Sequence, residues 1–226
     1  MLQRVCKKMG TLALETNGDV CSNDYVVLGL KDFRIDSIEK PQILSLLSTL
    51  LERSVQKNER RLETLQTKDF ITVFHGLRAP SLSIQQYIDR IFKYSCCSSS
   101  CFVVAYIYMD RFIEQTKSLL TSLNIHRLTI TSVMLAAKFM DDAFYNNAYY
   151  ARVGGVSTTE INKLEMKFLF SLDFRLHVNV QTFGKYCSIL KREAKGALVE
   201  HPIQSCGVEE SWTSKEESTC ARPVAR

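Results

Sequence analysis

No apolar run in the 226 residues is long enough to cross a bilayer, since the longest, Cys101 to Met109, is about half of what a membrane helix needs. A secretory signal pattern is missing too, because Lys7 and Lys8 lead only to the short stretch Met9 to Leu14 before Glu15. The chain is therefore expected in the nucleus and cytoplasm, where its eight cysteines should stay reduced. Cys96, Cys97 and Cys101 gather where a helix begins, without a Cys-x-x-Cys ladder. None of the four histidines (His75, His126, His177, His201) is near them in sequence, so no metal and no other cofactor is expected. Gly-x-Gly-x-x-Gly, Gly-Lys-Ser, Gly-Lys-Thr and Gly-x-Ser-x-Gly are all absent, and Gly154-Gly155 lacks the following lysine of a phosphate loop, so an enzyme is not expected. Charge of one sign is scarce as well. The whole chain carries +5, and residues 81–190 hold 11 Lys and Arg against 8 Asp and Glu, or +3, without the basic run that marks a nucleic-acid face.

What is present is helical periodicity and ample core material, at 46% hydrophobic content, for one all-α domain. Residues 1–36 show no period and read as a flexible leader. Residues 37–80 read as a helix followed by a connector. Pro41 suits a first turn, and Ile43, Leu44, Leu47, Leu50, Leu51 and Val55 recur at helical spacing. That helix would cover the outside of the next domain, or else fill a partner's groove.

The domain itself is read over 81–195. A helix is expected from Ser81 to Ser95 on Ile84, Tyr87, Ile88, Ile91 and Phe92, and another from Cys101 to Gln115 after the serines at 98–100. Being apolar nearly all round, the second should be central. Helices are also predicted over Thr129 to Asp142, over Tyr145 to Val153 with a stop at Gly154-Gly155, and from Ser157. Ser157 and Glu160 have the spacing of a reciprocal capping box. A last helix is predicted from Val180 to Ala194. Residues 196–226, with Glu209, Glu210, Glu216, Glu217 and the lone Trp212, read as a disordered polar tail.

Three charged residues interrupt apolar helices. Asp110 closes the run from Phe102 to Met109, and Lys138 ends Val133 to Ala137. Glu165 falls inside the stripe of Ile161, Leu164, Phe168, Leu169 and Leu172, pointing between Leu169 and Leu172 at about 100° per residue. An unpaired buried charge costs several kcal/mol, so such residues are either paired within the fold or turned to a rim where a partner completes them. The flanking residues favour the rim.

Those residues are Ala105-Tyr106-Ile107-Tyr108-Met109-Asp110-Arg111-Phe112-Ile113, then Met134-Leu135-Ala136-Ala137-Lys138-Phe139-Met140-Asp141-Asp142, then Lys163-Leu164-Glu165 leading to Leu172-Asp173-Phe174. In this order and spacing they resemble the cyclin box, over roughly Ser81 to Lys191. Tyr94-Ser95-Cys96 and the phrase from Tyr145 to Gly155 look like the plant P/U-type cyclins, which in turn resemble the cyclin of the yeast phosphate-response kinase. The resemblance implies a single five-helix cyclin box with an added N-terminal helix. A second helical repeat is not expected, because the polar residues left after the box are too few to bury another core.

The resemblance also implies a regulatory subunit that binds and activates a cyclin-dependent serine/threonine kinase, with an A-type plant kinase as first partner. The role would be in cell division or, alternatively, in nutrient or phosphate signalling. By motif, Lys138 and Glu165 lie at the kinase-facing rim, Leu135 and Phe139 beside the lysine, and Leu169, Phe174 and Leu176 around the glutamate. The substrate-recruiting Arg and Trp of mitotic cyclins are not matched by Ser81, Leu82, Ser83, Ile84 and Tyr87. In the wider family that Arg partners the aspartate matching Asp110, so Asp110 is read as structural, needing another donor such as Arg90 or a backbone amide. The cyclin fold also occurs in transcription factors, so a transcription or scaffold protein is the rival from another class. The small, dispersed charge excess argues against it.

Overall fold

The computed structural model describes residue 30, residues 40–66 and residues 71–194. The predicted leader, apart from Leu30, and the predicted polar tail lie outside those residues. Leu30 packs against the core. Among the described residues there are seven helices and no strand: α1 (Gln42–Leu65), α2 (Ile84–Ser95), α3 (Ser99–Thr116), α4 (Ile125–Met140), α5 (Asn147–Gly154), α6 (Thr158–Ser171) and α7 (Val180–Ala194).

Helix α3 is the axis. Every side chain from Cys101 to Met109 is buried, because α1, α4, α6 and α7 surround it. A helix apolar on all sides has no solvent face, and this one is enclosed accordingly. Helices α2 and α5 pack on each other and on α4. The approach of α5 to α4 is close. A Cβ added at Gly154 would sit 2.8 Å from Ile130 Cγ1, and Gly155 caps α5 at φ +71°.

Helix α1 does more than cover the outside. Ile43, Leu44, Leu47, Leu50 and Leu51 are all buried within the single core, against α2, α3 and α7. The segment after it also enters the core. Phe74 is buried against Phe112, at 4.9 Å between ring centroids, and Phe168, at 5.8 Å.

Two helix starts shift, and one cap forms only in part, for identifiable reasons. Helix α2 begins at Ile84 because Ser83 and Gln86 form a reciprocal capping box there: Gln86 N–H donates to Ser83 Oγ and Ser83 N–H to Gln86 Oε1, each at 3.2 Å. Helix α4 begins at Ile125 rather than Thr129. Asn124 Oδ1 accepts from Thr121 N–H at 2.9 Å and Asn124 Nδ2 donates to Leu119 O at 2.7 Å, so the turn is complete and buried Ile125 and Leu128 can join the helix. On α6 only half of the expected box forms. Ser157 Oγ accepts from Glu160 N–H at 3.0 Å, but the Glu160 carboxylate turns to Arg127 Nε on α4 at 2.6 Å, a charge-assisted bond that outcompetes the neutral backbone amide.

Candidate functional site

The last turn of α4, the first residue of α5 and the middle of α6 meet in one polar knot. Lys138 Nζ donates to Glu165 Oε1 at 2.7 Å and also to Asn147 Oδ1. Asn147 Nδ2 donates to Glu165 Oε2 at 2.6 Å and to Asn162 Oδ1 at 2.7 Å. Both carboxylate oxygens of Glu165 and both amide hydrogens of Asn147 are thereby used, while one of the three lysine hydrogens is left over. The side chains of Lys138 and Glu165 are 24% and 15% exposed, so the pair lies in the surface layer rather than beneath it. This corrects the expectation that a partner completes these charges. They complete each other, with Asn147 as the hinge between them.

Exposed apolar side chains sit beside these charges in the chain. Phe139 follows Lys138 and is 50% exposed; Met166 follows Glu165 and is 50% exposed; Phe170 and Phe174 are 64% and 55% exposed. At about 100° per residue, Glu165, Leu169, Met166 and Phe170 follow one another round α6, from the edge of the core stripe at Glu165 to the side away from Leu164 and Phe168 at Met166 and Phe170. Leu169 and Leu176 are partly buried. Leu135 departs from its expected place: at 3% exposure it belongs to the core face of α4 and supports the site from below, without reaching a partner.

The end of α6 aims Phe174 outward. Asp173 N–H donates to Phe170 O at 3.1 Å and Phe174 N–H to Leu169 O at 3.0 Å, the paired bonds of a Schellman cap. The cap requires left-handed backbone, and Asp173 (φ 52°) and Phe174 (φ 56°) adopt it without glycine. Phe174 then packs edge-on against Phe170, with centroids 5.3 Å apart. The following strand of backbone is held to α3, where Tyr108 OH donates to Leu176 O at 2.6 Å and Arg111 Nη1 to Arg175 O at 2.9 Å and His177 O at 3.1 Å.

Asp110 is structural, with a donor that neither expectation named. Tyr186 OH on α7 donates to its carboxylate, whereas Arg90 donates to Arg152 O at 3.2 Å. Burial raises the Asp110 pKa above its ordinary 3.8, and the Tyr186 bond opposes that rise. The Tyr186 hydroxyl is held far above its usual range by burial and by the Asp110 charge.

Cys97, Cys101 and Cys187 are buried, and Cys96 is exposed. Among the described residues no group of three or more His, Cys, Asp or Glu is placed to hold a metal.

Sequence reasoning missed Asn147, Asn162, Met166 and Phe170. The last two carried a signal, four apart on α6 and off the core stripe; the two asparagines carried none, because their partners come from other helices.

The cyclin family model matches residues 42–176. Cyclin-P3-1 of Oryza sativa subsp. japonica is 52% identical over 198 residues, covering 87% of this chain and 84% of that protein. Cyclin-U3-1 of Arabidopsis thaliana is 51% identical over 209 residues, covering 91% and 95%, and Cyclin-U4-1 of the same plant is 52% identical over 161 residues, covering 69% and 80%.

Proposed function

The chain belongs to the cyclin family, as a plant P/U-type cyclin and so a regulatory subunit of a cyclin-dependent kinase, and we propose that it does no chemistry itself and docks its kinase through the face built on Lys138, Asn147 and Glu165. The observation that carries this reading is the polar knot, with Phe139, Met166, Phe170 and Phe174 exposed on the segments that form and follow it. Interfaces concentrate their energy in a few anchors of this kind, aromatic side chains around desolvated polar groups.

The face would receive the kinase helix that carries the glutamate partner of the ATP-binding lysine. Holding that helix in place completes an ion pair that the lone kinase does not keep, and activation follows without any chemistry by the cyclin. Lys138 has a remaining hydrogen to donate to a backbone carbonyl at the end of such a helix, where the helix dipole is negative.

An A-type plant cyclin-dependent kinase is the proposed partner, in cell division, acting in nucleus and cytoplasm. The test is affinity purification of the full chain from plant cells followed by a histone kinase assay of the captured kinase. Capture of an active A-type kinase is expected, with Lys138→Ala and Glu165→Ala each losing about 2 to 5 kcal/mol of binding because the charge that remains is left without its ion-pair partner at the interface. Wild-type binding by both variants would remove the site from this face. Capture of a kinase of the phosphate-response type would move the role to nutrient signalling.

A further inference from the structure

A second surface, formed by α2, α5 and the connection between α4 and α5, is used by neither the core nor the proposed kinase face. Tyr145 stacks on Tyr149 at 3.9 Å between centroids, and Tyr149 OH donates to Tyr94 O at 2.8 Å. Tyr94 and Tyr145 are 46% and 39% exposed, and Phe144, beside them in the chain, is 53% exposed. Three exposed cations accompany the rings. The Arg152 guanidinium lies 5.5 Å from the centroid of Tyr149, Lys93 Nζ lies 5.3 Å from that of Tyr94, and Arg90 donates to Arg152 O at 3.2 Å. The nearby carboxylates are mostly engaged elsewhere: Asp89 is paired with Lys40 at 2.6 Å, and Asp141 accepts from Ser98 N–H at 3.1 Å. Asp142 is the exposed exception. Tyr149 is tied to the core side and Tyr145 OH also donates to Cys96 Sγ at 3.8 Å, so rings and cations are held in place before any partner arrives, while Tyr94, Phe144 and Tyr145 keep a large part of their ring surface in solvent.

From this arrangement we infer that the α2 and α5 face is a docking site for an extended, proline-containing acidic peptide. Proline rings in an extended left-handed segment dock between aromatic side chains, and such a segment is already ordered before it binds. The guanidinium groups of Arg90 and Arg152 keep most of their donors free for carboxylates spaced along it. Single-stranded nucleic acid also stacks on aromatics, but it requires a cationic groove that follows its backbone. The excess over residues 81–190 is only +3, without a basic run along which a phosphate backbone could lie. If the kinase-subunit reading holds, the peptide belongs to a kinase substrate, recruited on a face separate from Lys138 and Glu165.

The test measures binding of the full-length chain to labelled peptides of repeated Glu-Pro-Pro, Lys-Pro-Pro and Glu-Ala-Ala, and to oligothymidylate. The Glu-Pro-Pro peptide is expected to bind, with the other two peptides much weaker. Arg152→Glu and the Tyr94→Ala, Tyr145→Ala double variant should each weaken it by about tenfold or more. Arg90→Glu, at an exposed position, provides an independent check should either variant melt below wild type. Equal binding of the three peptides, no effect in any variant, no peptide binding, or preferential retention of oligothymidylate would each overturn the inference. Kinase capture is read separately on Lys138→Ala. Loss of peptide binding in Arg152→Glu with kinase capture intact supports the second surface, and failure of kinase capture by wild type leaves the peptide result standing.

Discussion

Single residues decide whether Lys138 and Glu165 act on folding or on docking. Removing one partner leaves the other sharing Asn147 alone in a mostly buried place, at a folding cost of about 1 to 3 kcal/mol. Removing both leaves no unmatched charge, so the Lys138→Ala, Glu165→Ala double variant should regain stability relative to either single variant. Kinase binding should be lost in all three. Denaturant unfolding beside a pull-down checks this, and stability costs that simply add would break the argument. At Asp110 the folded chain holds the proton more tightly than the unfolded chain, because burial disfavours the carboxylate. That contribution is complete in acid and is lost as pH rises from the ordinary 3.8 through the raised value. Asp110→Asn, neutral throughout, should therefore gain on the wild type across that window in melting temperature. A constant difference between the two would count against a buried carboxylate.

At the scale of elements, helix centres were legible and helix ends only in part. The stripe on α6 and the range of α7 follow from periodicity, because burying one face needs apolar residues every three or four positions. The start of α4 was misplaced by four residues, since it depends on Asn124 closing a turn through Leu119 and Thr121. Glu160 has the spacing of a capping box but is claimed by Arg127 from another helix, a competitor that local spacing does not reveal. The end of α6 offers a direct test. Asp173 sits at φ 52°, where a Cβ costs roughly 1 to 2 kcal/mol and glycine little. Asp173→Gly should raise stability by about 1 kcal/mol after the entropy of the unfolded chain is counted, observed as a higher melting temperature. A lower one would mean that the exposed pair with Arg175 outweighs the strain.

For the molecule as a whole, α1 is part of the folding unit. Its six buried aliphatic side chains share one core with α2, α3 and α7, and the family match begins at residue 42 within it. A chain beginning at Ser81 should therefore expose an apolar face, lose cooperative melting and aggregate, whereas the full chain should melt in one transition. A soluble, cooperatively melting chain from Ser81 would show that α1 is an appendage after all. Leu47→Ala in the full chain should cost about 2 to 5 kcal/mol, as deletion of a fully enclosed side chain does.

The order of helices, the central place of α3 and the family were all readable from the residues alone, because each depends on spacing and motif within one stretch of chain. Pairing was a different matter. That Lys138 finds Glu165 through Asn147, that Tyr186 serves Asp110, that Leu135 turns inward while Met166 and Phe170 turn outward, and that α1 belongs inside the core all depend on which helices come to lie side by side. Charges and hydrogen-bonding groups take the strongest partner within a few ångströms, and in a packed helical domain that partner commonly comes from a distant part of the chain.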